Sequence, residues 1–316
     1  MMRAQSKAMK KDPKSHKKTL VLITGPTAVG KTDVSIRIAS HLNTHILSAD
    51  ARQFYRELNI GTASPSPAEL SQVPHHFIGH LSLHDYYNVS RFEQDALKKL
   101  GDLFQKQNDV VLTGGSGLYI DTLLHGIDDL PDADDNVRKE VKRFYDREGL
   151  QGLRRWLKQS DPEYYDVVDQ ANPKRMMRAL EIYLATGKKY SSLRKNQPRE
   201  RPFKTIKILL NRPREELFDR INRRTETMIE DGLVEEAWQL FGYRKYNALN
   251  TVGYKEIYSW LSNKWNLSKA VEKIKTNTRR YAKRQLTWFK RYDDARWFHP
   301  DETDQMLSWI EDKTGS

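Results

Sequence analysis

Cysteine is missing from all 316 residues, which excludes a disulfide framework and any zinc site built on thiolates, and suits a reducing compartment. Long apolar runs are missing too: nothing approaches membrane-spanning length, and the N-terminus lacks the apolar segment of a secretion signal. The chain therefore reads as soluble, cytoplasmic and without a membrane partner, and as a monomer. Acidic residues are the scarcer charge, 42 against 54 Lys and Arg, for a net charge of +12. Seven basic residues against one acidic stand in positions 1–18. Half of the excess thus belongs to a tail without apolar periodicity, expected to be disordered, and says nothing about a folded surface.

What is present begins with a core-forming apolar share of 38% and a chain long enough for two folding units, one inserted in the other. Residues 19–24 (TLVLIT) form the short β-branched run of a buried strand, and 32–42 read as a helix. Between them Gly25, Pro26, Thr27, Ala28, Val29, Gly30, Lys31 and Thr32 fit the phosphate-loop spacing. Here the glycines let backbone N–H groups turn inward, the helix N-terminus adds partial positive charge, Lys31 reaches outer phosphate oxygens, and the Thr32 hydroxyl holds Mg²⁺. A phosphate or diphosphate site follows. Its use does not, because the same cradle serves hydrolysis, kinase chemistry and reactions that expel pyrophosphate.

A second strand at 45–48 leads into Ala49-Asp50-Ala51-Arg52-Gln53. In an open parallel sheet the carboxyl ends of strands face the ligand crevice, which puts Asp50 on the rim of the phosphate loop; a plain helix cap is the other reading. A turn-rich loop follows at 61–67. Asn88-Val89-Ser90 opens a helix to about 107, with Ser90 and Glu93 expected as a capping box. Residues 109–113 form another buried strand before Gly114-Gly115-Ser116-Gly117. No acidic residue closes that strand, so the second carboxylate of a nucleotide hydrolase is absent there.

From 120 to 203 the strand rhythm stops and the chain turns helical and charged. The expected organisation is a basic tail (1–18), a first part of the α/β core (19–119), a helical insertion (120–203) and the rest of the core (204–316). In the insertion Asn172 caps a helix that starts on Pro173 and ends at Gly187. Lys174, Arg175 and Arg178 crowd its first turns against the dipole, an arrangement that suits a bound anion such as RNA phosphate. After a strand at 205–211, a helix over 213–230 carries Arg220 and Arg224 one turn apart with Arg223 beside them. Pairing with Glu216 and Glu226, or a phosphate clamp, would each account for these arginines. A last long helix over 268–292 holds eight basic residues and no acidic one between 273 and 291, which points to a polyanionic partner. Ile274, Tyr281 and Trp288 recur there at heptad spacing, as a buried stripe would.

These segments together resemble the bacterial tRNA dimethylallyltransferases, also called isopentenyl-tRNA transferases. The likeness is carried by residues 25–32, by SADARQ at 48–53 with GTA at 61–63, by GGSGLY at 114–119, by NPKR at 172–175 with RALE at 178–181, by VGYK at 252–255 and by KRQLTW at 283–288. It implies an α/β fold, a P-loop parallel sheet flanked by helices with a helical insertion domain. It also implies transfer of a dimethylallyl group from dimethylallyl diphosphate to the exocyclic amine of the adenosine 3′ of a tRNA anticodon (position 37), with diphosphate released and Mg²⁺ as cofactor. The adenine amine is a weak nucleophile, and Asp50 matches the family's base. Lys31, Thr32 with Mg²⁺ and Arg224 would stabilise the leaving diphosphate. The resemblance implies tRNA contacts at Asp50, Ala51, Arg52, Gln53, Ser116, Lys174, Arg175, Met176, Met177, Arg178, Gly253, Tyr254, Lys255, Arg280, Lys283, Arg284 and Gln285. The chain has Ala51 where the family usually has Ser and Ser116 where it usually has Thr. The fungal and animal relatives' zinc finger is absent. Two other readings stay open: transfer to free AMP, ADP or ATP, and a P-loop NTPase or kinase coupled to RNA.

Overall fold

A computed structural model of the chain describes residues 18–128, 130–195 and 197–315. The expected basic tail lies, except for Lys18, outside them. The chain divides into two compact units: one holds the chain up to Leu124 together with Arg201 onward, the other is His125–Glu200.

The first unit is built on a six-stranded sheet of β1 (Thr19–Thr24), β2 (Ile46–Ser48), β3 (His75–His76), β4 (Asp109–Gly114), β5 (Lys204–Leu210) and β6 (Arg296–Phe298), in the order β3-β2-β4-β1-β5-β6. Every pairing is parallel. The apolar runs noted in the sequence are the middle strands, covered on both faces as parallel strands are. Alternation divides each strand between two cores: Leu20, Leu22, Leu47 and Leu112 belong to one, Val21, Ile23, Ile46 and Val111 to the other. β1 lies between β4 and β5, so the loops after β1, β2 and β4 open on one rim. That topology is what brings the three sequence-distant motifs together.

Local capping differs from expectation at one helix. Asn88, not Ser90, is the N-cap of the helix Val89–Phe104, its side chain accepting from Arg91 N. Glu93 is 3% exposed and pairs with Arg201, whose guanidinium also donates to the Leu123 and Thr122 carbonyls. A buried carboxylate next to an arginine outcompetes a capping role.

The long basic helix is Leu267–Phe289, so Lys290 and Arg291 lie beyond its end, and Arg291 pairs with Asp121 at 3.0 Å. Ile274 is buried, but Tyr281 and Trp288 are only partly so.

The second unit is helical, with helices Asp135–Ser160, Pro162–Val167, Pro173–Thr186 and Tyr190–Leu193. Its own core includes Val141, Leu153, Leu157, Met176 and Leu180. Gly149, at φ 64° and ψ −162°, breaks the first helix within its length. Asn172 caps the third helix through Arg175 N, Pro173 is its first residue, and Gly187 closes it in the left-handed conformation (φ 69°).

Candidate active site

The phosphate loop is shaped by backbone needs before any chemistry. Gly25 and Gly30 sit at φ 155° and 111°, and a Cβ on Gly25 would fall 2.5 Å from the Leu210 carbonyl oxygen. Only glycine fits there. The next rim element is held as closely: Ala49 N donates to Thr113 O (2.6 Å), and a Cβ on Gly114 would meet the Ala49 carbonyl at 2.5 Å. Asp50 emerges from this contact at the end of β2. Its Oδ1 accepts from Arg52 N at 3.1 Å, closing a tight turn on the rim.

One side chain locks two of these loops together. Gln285, on the basic helix and 5% exposed, accepts from Thr27 N of the phosphate loop (2.8 Å) and donates to Gly115 O after β4 (2.9 Å). A second brace crosses from the arginine helix Arg214–Glu230, where Arg220 Nε donates to Ala28 O at 2.8 Å and Arg224 Nη1 lies 3.5 Å from Thr27 Oγ1. Neither expected glutamate partner is used: Glu216 pairs with Arg212 and Glu226 with Lys275, while Arg223 pairs with Asp219. The two arginines on the inward face are thereby left for the rim.

Two cavities meet here. The first, about 290 Å³, is lined by Thr27, Gly30, Lys31, Thr32, Gln53, Arg220 and the loop 62–65, among others. The second, about 370 Å³, is lined by Ala51, Arg52, Ser116, residues 250–253, Lys255, Tyr281 and Arg284, among others. Thr27, Asp50, Thr62, Ala63 and Arg224 border both. Asp50 thus stands at a junction, with an anion cradle on one side and a second chamber on the other.

The electrostatics match this division. Burial pulls the Lys31 ammonium down to about 8; the Asp50 charge raises it and the Arg224 guanidinium lowers it further. Its Nζ meanwhile rests on the Gly25 and Pro26 carbonyls (3.1 and 2.9 Å). Burial, then Arg220, lowers Arg224. Two partly buried cations beside a helix N-terminus make this cavity favour an anion. In the second chamber burial and then the Asp50 charge push the Tyr281 phenol up, so it stays a neutral donor.

The smaller partners fit the same plan. Ala51 N donates to Ser116 Oγ (3.0 Å), and Gln53 Nε2 donates to the Ala63 carbonyl (3.0 Å), fixing the loop that closes both cavities. Glu236 holds that loop from beneath, accepting from Asn59, Ile60 and Gly61 N (3.0, 2.8 and 2.9 Å) and from the Tyr254 hydroxyl (2.6 Å). Arg52 donates to the Asn247 and Ala248 carbonyls (2.9 and 3.2 Å).

Of the expected tRNA contacts, Asp50, Ala51, Arg52, Ser116, Gly253, Lys255 and Arg284 line the second chamber, and Gln53 lines the phosphate side. Arg280 and Lys283 are exposed on the basic helix. Three expectations need correction. Met176 and Tyr254 are fully buried, the first in the helical unit's core, the second under Gly61, and Gln285 is spent on its two loops. Met177 packs against the same core as Met176. Arg178 pairs with Asp132 (3.2 Å) and Glu181 (3.8 Å), so protein carboxylates supply the anion at that helix and only Lys174 and Arg175 stay exposed. Arg220, read in the sequence as half of a phosphate clamp, lines the phosphate cavity, and Thr62 and Ala63 of the GTA motif line both cavities; Tyr281 is missing from the expected set and had no signal, because a tyrosine in a heptad stripe looks like core.

The donor set suits magnesium. Thr32, Asp33 and Asp50 put hard oxygen ligands in the phosphate cavity, and among the described residues no cluster of three or more His, Cys, Asp or Glu forms a self-sufficient metal cage. Mg²⁺ characteristically takes one or two protein oxygens and completes its shell from phosphate and water.

Comparisons with known proteins agree with this geometry. Residues 53–292 match the model of the IPP transferase family. The chain is 50% identical over 294 residues to tRNA dimethylallyltransferase 1 of Bacteroides fragilis, covering 93% of this chain and 98% of that one. It is 51% identical over 292 residues to the protein of the same name from Phocaeicola vulgatus (92% and 97% covered). Among solved structures, the tRNA isopentenylpyrophosphate transferase of Bacillus halodurans superposes with a TM-score of 0.70 at 35% identity, covering 95% of this chain and 97% of that one. A eukaryotic dimethylallyltransferase acting on tRNA gives 0.73 at 27% identity (90% and 74% covered). With its matched region spanning most of its length, the chain belongs to the IPP transferase family.

Proposed function

We propose that the protein transfers a dimethylallyl group from dimethylallyl diphosphate to the N6 amine of the adenosine at position 37 of tRNA, releasing diphosphate. The observation that carries this reading is the junction: Asp50 and Arg224 border both an anion cradle and a second chamber. A hydrolase needs one pocket and a water. A transferase needs two substrates meeting at one wall.

In this mechanism the phosphate loop, Lys31, Arg220 and Arg224 hold the diphosphate. Thr32, with Asp33, would hold Mg²⁺, which when bound adds charge neutralisation on the diphosphate oxygens. The adenine leaves the anticodon-loop stack and enters the second chamber beside Asp50. The bond from the allylic carbon to the bridging oxygen breaks, its electron pair leaving with diphosphate. The bond from N6 to that carbon forms, and the N6 proton passes to the Asp50 carboxylate. Developing charge on the leaving oxygen meets Lys31, Arg224 and loop N–H groups already in place. Arg280, Lys283 and Arg284, beside or on the rim of the chamber, grip RNA phosphate, with Lys174 and Arg175 of the helical unit as further contacts. The protein works as a monomer in the cytoplasm; among the described residues no helix is long and apolar enough to cross a membrane.

Transfer to free adenine nucleotides shares the cradle and the base but has no use for the exposed cations of the basic helix. Incubation with dimethylallyl diphosphate and both tRNA and AMP, followed by nucleoside mass spectrometry, tests the proposal. Prenylated tRNA adenosine is expected; prenylated AMP beside unmodified tRNA overturns it.

A further inference from the structure

Outside the two cavities, one surface cluster has no role in the chemistry above. The segment 241–249 makes two single 3₁₀ turns, Phe241–Tyr243 and Asn247–Leu249. It is anchored to the core by Phe241, Ala248 (3% exposed) and Leu249 (0%). Tyr243 and Tyr246 stand further out, 42% and 40% exposed. They gather instead around exposed His84, with ring centroids 5.4 Å from His84 in each case and 5.9 Å from one another. The Tyr246 hydroxyl lies 3.3 Å from His84 Nδ1. None of the three pairs is a parallel stack, the interplanar angles being 87°, 86° and 61°, and the exposed part of each tyrosine leaves ring surface towards solvent.

Two further observations say what kind of partner. The residues between the tyrosines are Arg244 and Lys245, both exposed, and the nearby carboxylate of Asp85 is taken up in capping Ser82 N (2.7 Å). Solvent-facing aromatic rings interleaved with cations match the π-faces and phosphates of single-stranded nucleic acid, and match an apolar protein surface poorly. The cluster is also continuous with the acceptor chamber. Arg52, which lines the chamber, donates to the carbonyls of Asn247 and Ala248, and the chamber wall begins at Asn250. Three residues separate Tyr246 from Asn250, so the two lie at most about 14 Å apart along the chain.

We propose that Tyr243, Tyr246 and His84 form a stacking platform for an unpaired base of the anticodon loop that neighbours the acceptor adenosine, with Arg244 and Lys245 on its phosphates. Drawing one base out of a loop stack strips its neighbours of a face, and an aromatic surface at the chamber mouth supplies a replacement. The platform stacks on any base by its π-face, so it adds affinity and register with little sequence discrimination. The inference rests on the tRNA reading.

The test uses the full chain and an anticodon stem-loop RNA with 2-aminopurine at the nucleotide next to the acceptor adenosine. The unaltered protein is expected to change the probe's fluorescence on binding. The pair Tyr243→Ala with Tyr246→Ala should lose that change, weaken RNA affinity about tenfold or more and raise KM for tRNA while keeping kcat. The pair Tyr243→Phe with Tyr246→Phe keeps the rings and should keep all three. The platform is overturned if the alanine pair binds with unaltered affinity and fluorescence response, or if the phenylalanine pair loses as much as the alanine pair. A protein that prenylates AMP and does not bind the RNA at all overturns the function proposed above, a result separable from either of these.

Discussion

Replacing Lys31 by Met tests whether the phosphate cavity is strained towards its ligand. Burial holds the Lys31 ammonium at about 8 against an ordinary 10.5, a difference worth about 3 kcal/mol of native stability at 1.36 kcal/mol per pK step. The sign follows from proton counting. Between pH 8 and 10.5 the unfolded chain keeps the proton and the folded chain does not, so stability rises with pH across that window, and the full penalty is present below pH 8. Methionine removes the penalty but leaves the Gly25 and Pro26 carbonyls without their donor, a loss of about 1–3 kcal/mol each that is the same at every pH. Relative to the parent, the variant should therefore be about 3 kcal/mol better off at pH 7 than above pH 10.5, where only that loss remains. Denaturant unfolding at pH 7 and pH 10.5 reads this directly, and the difference between the two proteins cancels every other group that titrates in the window. Diphosphate binding adds a second reading. The parent should take up a proton on binding at pH 8.5, seen as a buffer-dependent calorimetric heat, and Lys31→Met should bind diphosphate far more weakly with no uptake. A stability difference between parent and variant that is the same at both pH values would mean that the ammonium is well solvated in the cavity, and the argument for an electrostatically primed cradle would fail.

Three further outcomes follow from the same geometry. Asp50→Asn should retain tRNA affinity and lose roughly 10²–10⁴ in turnover, as single-turnover product formation would measure; normal turnover would assign the proton to another acceptor. Gln285→Leu strips partners from Thr27 N and Gly115 O, about 1–3 kcal/mol for each buried orphan. It should lower melting temperature and kcat together while filter-binding affinity for tRNA stays put; a selective loss of tRNA affinity would make Gln285 a contact after all. Arg280→Glu with Arg284→Glu should reduce the slope of log K against log [salt] by about 1.5, leaving diphosphate affinity unchanged, and an unaltered slope would take this helix out of the interface.

The parts legible in the sequence are those that local rules determine. The apolar run at 19–24, its glycines and the following helix needed only strand periodicity and backbone sterics, and the structure has β1, the left-handed Gly30 and the helix Lys31–His41 in those places. Asn172, Pro173 and Gly187 cap their helix because capping is decided within a few residues. Where a distant partner competes for the same side chain, local rules lose. Ser90 and Glu93 have capping-box spacing, yet Arg201, 108 residues away, takes the carboxylate; Arg178 looks like an anion seeker until Asp132 is seen beside it.

The basic helix shows the same limit at the catalytic centre. Read as a helix, it separates into an apolar stripe and a cationic one, and both assignments ignore what the sheet brings up against it. Tyr281 lies in the supposed core stripe, but the chamber beside Asp50 opens along that face, so the ring lines a cavity. Gln285 lies one turn on, among residues counted for RNA, and its amide, unlike the neighbouring Lys and Arg side chains, offers both a donor and an acceptor. The phosphate loop presents an N–H and the β4 loop a carbonyl within reach of it. A lysine or arginine could satisfy one of those groups, never both. Glutamine at this position is thus dictated by two loops 258 and 170 residues away, and through them the helix that carries the exposed cations Arg280, Lys283 and Arg284 is tied to the phosphate loop.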